Sequence, residues 1–151
     1  MPKEARRVLI VEDDRANRAL LTELLVADGY ETRAVGRGAD ALALLRWWRP
    51  DLILLDLSIA DMTGAAFRAV QLATPSAADV PLAVVSASGR LRDESASLGA
   101  AAAVPKPFDI DELVATVRRV CGGPCAETPA PRHGPVRLAC GPESGDQPAD
   151  P

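Results

Sequence analysis

Asp51-Leu52-Ile53-Leu54-Leu55-Asp56 is the stretch on which the reading of this chain turns. Four consecutive apolar residues run into a carboxylate, with Pro50 before them and Ser58, Asp61 and Gly64 after. A short apolar run so bounded reads as a strand buried on both faces, which belongs to a parallel sheet covered by helices. In open α/β sheets ligands bind beyond the carboxyl ends of the strands, and Asp56 stands at such an end. This makes Asp56 a candidate nucleophile for a phosphoryl group.

Working outward, the same grammar repeats. Val8 to Val11 is a second apolar run, ended by Glu12-Asp13-Asp14. Leu20, Leu21, Leu24 and Leu25 then mark a helix face with Gly29 as its C-cap. Glu31 to Val35 is half polar and suits an edge strand. After a Gly36-Arg37-Gly38 loop, Ala41, Leu44, Leu45 and Trp48 give a second helix face, stopped by Pro50. Trp48 is expected in the core; its neighbour Trp47 should point outward, as partner contact or surface cover.

Beyond Asp56, Gly64 opens a helix with Phe67, Val70 and Leu72 as its apolar positions and Pro75 as its end. Val80 to Val85 is a fourth strand reaching Ser86, Leu91 to Leu98 a short, weakly patterned helix, and Ala102 to Val104 a poor fifth strand leading to Pro105-Lys106-Pro107. Asp109 with Glu112 is a capping-box-like start for a last helix faced by Leu113, Val114, Val117 and Val120. Five strand–helix alternations predict a five-stranded parallel sheet with helices on both faces and right-handed crossovers. The polar second strand at an edge favours the order 2-1-3-4-5.

The chain has 151 residues and a formal net charge of −4, which suits one domain and offers no footprint for nucleic acid or an anionic membrane. No apolar run approaches the ~18 residues of a membrane span, and the amino terminus lacks the apolar core of a signal peptide. The expectation is a cytoplasmic protein. Cys121, Cys125 and Cys140 are odd in number and suit reduced thiols, and Cys121, Cys125 and His133 fit no zinc spacing. From Gly122 on, Pro, Gly and small polar residues show no strand or helix pattern, so 122–151 is expected to be a disordered tail.

In a parallel sheet every strand delivers its end to one edge. Here that brings together Glu12, Asp13, Asp56, Ser86 and Lys106. Two carboxylates ~4 Å apart repel by about 4 kcal/mol at an effective dielectric of ~20. Lys106 offsets part of this and a hard divalent cation more; Mg²⁺ suits the donor set, with Asp13 and Asp56 as direct ligands and Glu12 acting through water. Asp56 can then attack in line to give an acyl phosphate, with Ser86 and Lys106 each meeting a phosphoryl oxygen. Asp14 is expected to be a solvated loop acid or helix N-cap rather than a ligand.

These motifs in this order, Val-Glu-Asp-Asp, Pro-Asp-Leu-Ile-Leu-Leu-Asp, Val-Ser-Ala and Lys-Pro-Phe, resemble the receiver domain of two-component response regulators over about Arg6 to Cys121. The resemblance implies a flavodoxin-like fold with residues 1–121 as the receiver. It implies Asp56 as phosphoacceptor, Lys106 as the phosphate-sensing lysine and Ser86 as the switch hydroxyl. It further implies Glu12, Asp13, Asp56 and the Ser58 carbonyl around Mg²⁺, and a cis Lys106–Pro107 bond. The phosphoryl donor would be a histidine kinase or histidine phosphotransfer protein. The downstream protein target is unknown. Such a chain is not an enzyme in the ordinary sense, since it catalyses only its own phosphorylation and dephosphorylation.

Three departures bear on output. Ala103 stands where the family's switch aromatic is expected, Pro105 precedes Lys106, and the fourth helix is short. They leave an alternative to a stand-alone phosphoacceptor: an interaction module of the same fold that works without phosphorylation. A flavin site is disfavoured because Glu12-Asp13-Asp14 would repel its phosphate.

Overall fold

A computed structural model describes residues 4–122 and 125–126. Five parallel strands, β1 (Arg7–Val11), β2 (Glu31–Val35), β3 (Leu52–Asp56), β4 (Leu82–Ser86) and β5 (Ala102–Pro105), lie in the order β2-β1-β3-β4-β5. They alternate with α1 (Arg15–Ala27), α2 (Gly38–Leu44), α3 (Gly64–Leu72), α4 (Leu91–Leu98) and α5 (Ile110–Cys121). This is the flavodoxin-like doubly wound arrangement, with half-polar β2 at one edge and β3 in the middle.

Alternate side chains of the central strands feed two separate cores. Leu9, Val11, Ile53, Leu55, Leu82 and Val84 pack with Ala41 and Leu44 of α2, Phe67 of α3 and Leu91 of α4. Val8, Ile10, Leu52, Leu54, Ala83 and Val85 pack with Leu21 and Leu25 of α1 and with Leu113 and Val117 of α5. Every residue of β3 and β4 is buried, which is why both read as unbroken apolar runs rather than alternating ones.

Helix ends follow local chemistry. Asp14, Thr63 and Asp109 are N-caps whose side chains accept from first-turn amides. Asp14 thus has the capping role expected of it. The α1 C-cap is Asp28 rather than Gly29, and Gly29 follows at φ 99°, a left-handed conformation that glycine adopts without a Cβ penalty. α2 is shorter than its apolar pattern suggests, because Leu45 and Trp48 are buried beyond its end. Trp47 is 68% exposed, and the Arg33 guanidinium lies 5.3 Å from its ring centroid.

The α3 face departs from expectation. Val70 and Leu72 are exposed, while Gln71 is fully buried beside Phe67. Hydropathy hides the reason: Gln71 Nε2 donates to the carbonyls of Ala77 (2.9 Å) and Val80 (3.0 Å), and its Oε1 accepts from Arg68. The side chain fastens the α3–β4 connection to the helix. Gln71→Leu leaves the Val80 carbonyl without this donor and is expected to cost about 2 kcal/mol in urea unfolding. On α5 the buried set is Leu113, Thr116, Val117 and Cys121, with Val114 and Val120 only half-buried; Thr116 satisfies its hydroxyl on the Glu112 carbonyl.

No strand was expected past Gly122, yet Cys125–Ala126 pairs antiparallel with Glu4–Ala5 in a two-residue ladder. The rest of the expected tail, with His133 and Cys140, lies outside the described residues. Among the described residues no helix is long and apolar enough to cross a membrane.

Candidate phosphoacceptor site

Strand ends build the site. Asp56 is the last residue of β3, Ser86 the last of β4, Glu12 and Asp13 follow β1 directly, and Lys106 follows β5. Parallel register puts these ends side by side: Val11 pairs with Leu55, Asp56 with Val85, and Ser86 with Pro105. The Lys106 amide donates to the Ser86 carbonyl, and the Glu12 amide to the Val35 carbonyl, so the backbone is held past the formal strand ends.

Glu12 and Asp56 are almost completely buried, at 1% and 2% exposure, whereas Asp13 is exposed. Lys106 Nζ lies between the buried pair, 2.9 Å from Glu12 Oε1 and 3.0 Å from Asp56 Oδ2. Asp56 Oδ1 accepts from the Ser58 amide at 3.0 Å and from the Ser58 hydroxyl at 2.9 Å. Glu12 Oε2 accepts from the Asp14 amide, and its backbone carbonyl accepts from Arg18. Carboxylate oxygens of Glu12, Asp13 and Asp56 lie within 4.8 Å of one another, so the predicted acidic group does converge.

One ammonium cannot neutralise three carboxylates. Burial pushes the Glu12 carboxyl up to about 7, reinforced by its hydrogen bond to Asp56 and only partly opposed by Lys106. Burial also raises Asp56, but hydrogen bonds from Glu12, Ser58 and Lys106 outweigh it and hold that carboxylate below its usual range. Desolvation lowers Lys106, and its bonds to Glu12 and Asp56 more than reverse this, leaving it raised. The site therefore keeps Asp56 ionised and retains a proton on Glu12 near neutral pH. Oxygen donors short of positive charge are what a hard divalent cation requires, so the residues fit Mg²⁺.

Ser86 and Ser58 are placed differently from Lys106. Ser86 Oγ, buried at the strand end, accepts from the Ser88 amide at 3.0 Å. Ser58, through its amide and hydroxyl, is a donor to Asp56. The Lys106–Pro107 peptide is cis. Ala103 is exposed on β5, where the aromatic was expected. Sequence reading missed Asp61, whose carboxylate accepts from the Gly38 and Ala39 amides at 2.9 and 3.0 Å and ties the loop after β3 to α2. An acid shortly before a helix that opens on Gly64 carries too weak a signal to have found it.

Residues 8–118 match the family model for the response regulator receiver domain. The chain belongs to this family. It is 35% identical over 115 residues to sporulation initiation phosphotransferase F of Bacillus subtilis, covering 75% of this chain and 91% of that protein. It is 38% identical over 115 residues to the DNA-binding response regulator MtrA of Mycolicibacterium smegmatis, and there the match spans about half of the relative (49%) and 75% of this chain. Among solved structures, the receiver domain of a sensor histidine kinase from Pseudomonas aeruginosa, with a magnesium ion coordinated in its active-site cleft, superposes with a TM-score of 0.72. That pair is 25% identical, and the match covers 80% of this chain and all of the other domain.

Proposed function

We propose that this receiver accepts a phosphoryl group on Asp56 from a phosphohistidine of a kinase or phosphotransfer protein and signals through protein contact. The observation that carries the reading is the buried Asp56 carboxylate held between Ser58 and Lys106. Sporulation initiation phosphotransferase F, matched over 91% of its length, is a relative that consists almost wholly of the matched region. The Mg²⁺ ligands would be Asp13, Asp56 and the Ser58 carbonyl, with Glu12 through water. Bound there, Mg²⁺ supplies the charge neutralisation that lets a phosphate oxyanion approach a carboxylate.

The chain's own groups do the rest. Ser58 fixes the Asp56 carboxylate plane through Oδ1, and burial keeps water from competing for it. An Asp56 oxygen attacks phosphorus in line as the P–N bond to the donor imidazole breaks. The bonding pair stays on that nitrogen, and the product is an acyl phosphate. Lys106 is then free to pair with a phosphoryl oxygen, and Ser86 can turn its hydroxyl from the Ser88 amide toward another. The intact Glu12–Asp56–Lys106 arrangement favours this over an interaction module that ignores phosphorylation.

Incubation with Mg²⁺ and a small acyl phosphate is expected to add one phosphoryl group by intact mass, and none to Asp56→Asn. An unmodified wild-type chain, or the same adduct on Asp56→Asn, would overturn the assignment.

A further inference from the structure

A second cleft, of about 420 Å³, opens between the segment that follows β3 and helix α4. About half of its lining is apolar, with Leu57, Ile59, Met62 and Leu98 on that side, and Thr63, Glu94 and Ser97 bring polar groups to it. Gly64 makes the closure possible: a Cβ there would come within 2.7 Å of Leu57 and 3.3 Å of Leu98. The acidic group formed by Glu12, Asp13 and Asp56 does not line it.

Glu94 also lines this cleft, and one of its carboxylate oxygens, Oε1, is shielded from solvent without a hydrogen-bond partner. Such an oxygen has given up water and received nothing in return. Of the other polar side chains at the wall, Thr63 Oγ1 is already committed to the Ala66 amide as the α3 cap, and Ser97 is exposed on α4. The unmet demand is thus for a donor, and a cationic one suits a carboxylate best. A volume in the range of small-ligand pockets exceeds what one entering side chain would fill.

We propose that this α3–α4 cleft is a binding site for a small apolar cation: an amidine, guanidine or amine carried on a ring or short hydrocarbon. The apolar body lies among Leu57, Ile59, Met62 and Leu98, and the head donates to Glu94.

The test uses the full chain with saturating Mg²⁺ and benzamidine as the probe, followed by amide NMR. Benzamidine is expected to shift the Leu57, Gly64, Ser97 and Leu98 signals, and benzoate, with the opposite charge, to leave them in place. Glu94→Gln should weaken benzamidine at least tenfold. Ser97→Phe, at an exposed α4 position on the cleft wall, should block it and decides the matter if Glu94→Gln does not fold. Several results would overturn the proposal: no shifts at tens of millimolar benzamidine, equal shifts from benzoate, shifts confined to Glu12, Asp13 and Asp56, or variants that bind as the wild type does.

Discussion

Replacing Lys106 with methionine lowers the stability of the metal-free receiver by about 3 kcal/mol at pH 8, read from urea unfolding. Methionine preserves the length of the side chain and removes only the charge and its donors. What remains is Glu12 and Asp56, buried together, with Ser58 alone holding one of them. Removing one partner of a buried ionic group costs more than the group itself contributes, because the survivors stay desolvated. The loss is smaller at pH 6. Lys106 is one of the influences that lower the Glu12 carboxyl, so without it the proton is held to still higher pH. Glu12 is then neutral at pH 6, and one charge is left instead of two. The gap between wild type and variant should widen from pH 6 to pH 9; a gap independent of pH would show that the two carboxylates do not share this burden.

Phe67→Ala should be the most damaging single change in the core on the α2–α3–α4 face. Phe67 is fully buried, and it packs in the cluster that holds Leu55, Ile59 and Val84. Truncating a buried phenylalanine loses its transfer free energy and leaves a cavity that the surroundings fill only partly, about 3–5 kcal/mol together. In a domain of this size that corresponds to a fall in Tm of about 15 °C by calorimetry. Phe67 lies one turn into α3, whose cap Thr63 follows the loop carrying Ser58 and Asp61. A change at Val70 or Leu72, both exposed on the same helix, should move Tm little. An equal loss at all three positions would contradict the observed face of α3.

The contrast between Phe67 and Val70 marks where sequence reading succeeds and where it stops. β3 and β4 were legible because burial on both faces leaves only apolar residues to choose from. The strand order followed from a polar β2, since an edge strand tolerates what a central one does not. The α3 face was not legible, because Gln71 is inside for its two backbone carbonyls, and hydropathy assigns that side chain to solvent. Thr116 is the same case on α5, with its hydroxyl satisfied on the preceding turn. Trp48 is buried as expected, though from beyond the end of α2 rather than on it.

At the site, the sequence places Glu12, Asp56, Ser86 and Lys106 at one edge because each ends a parallel strand. It does not say which atoms meet. Lys106 bridging Glu12 and Asp56, and Ser58 turning both its donors on Asp56 Oδ1, depend on side-chain torsions that strand periodicity leaves open. Nor does spacing reveal that Glu12 retains a proton, which comes from burial that only the folded chain imposes.

That proton is the most direct handle on the whole account. Glu12 stands at 4.5 ordinarily and is raised to about 7 in the fold, so the stability it contributes is complete below pH 4.5 and lost as pH rises through about 7. Carbon-13 NMR of the Glu12 side-chain carboxyl in the metal-free receiver should give a midpoint near 7. Saturating Mg²⁺ should move that midpoint down, because a cation among Glu12, Asp13 and Asp56 favours the ionised form. A Glu12 carboxyl that titrates at its ordinary value and ignores Mg²⁺ would contradict an acidic cleft built to receive a cation and a phosphoryl group.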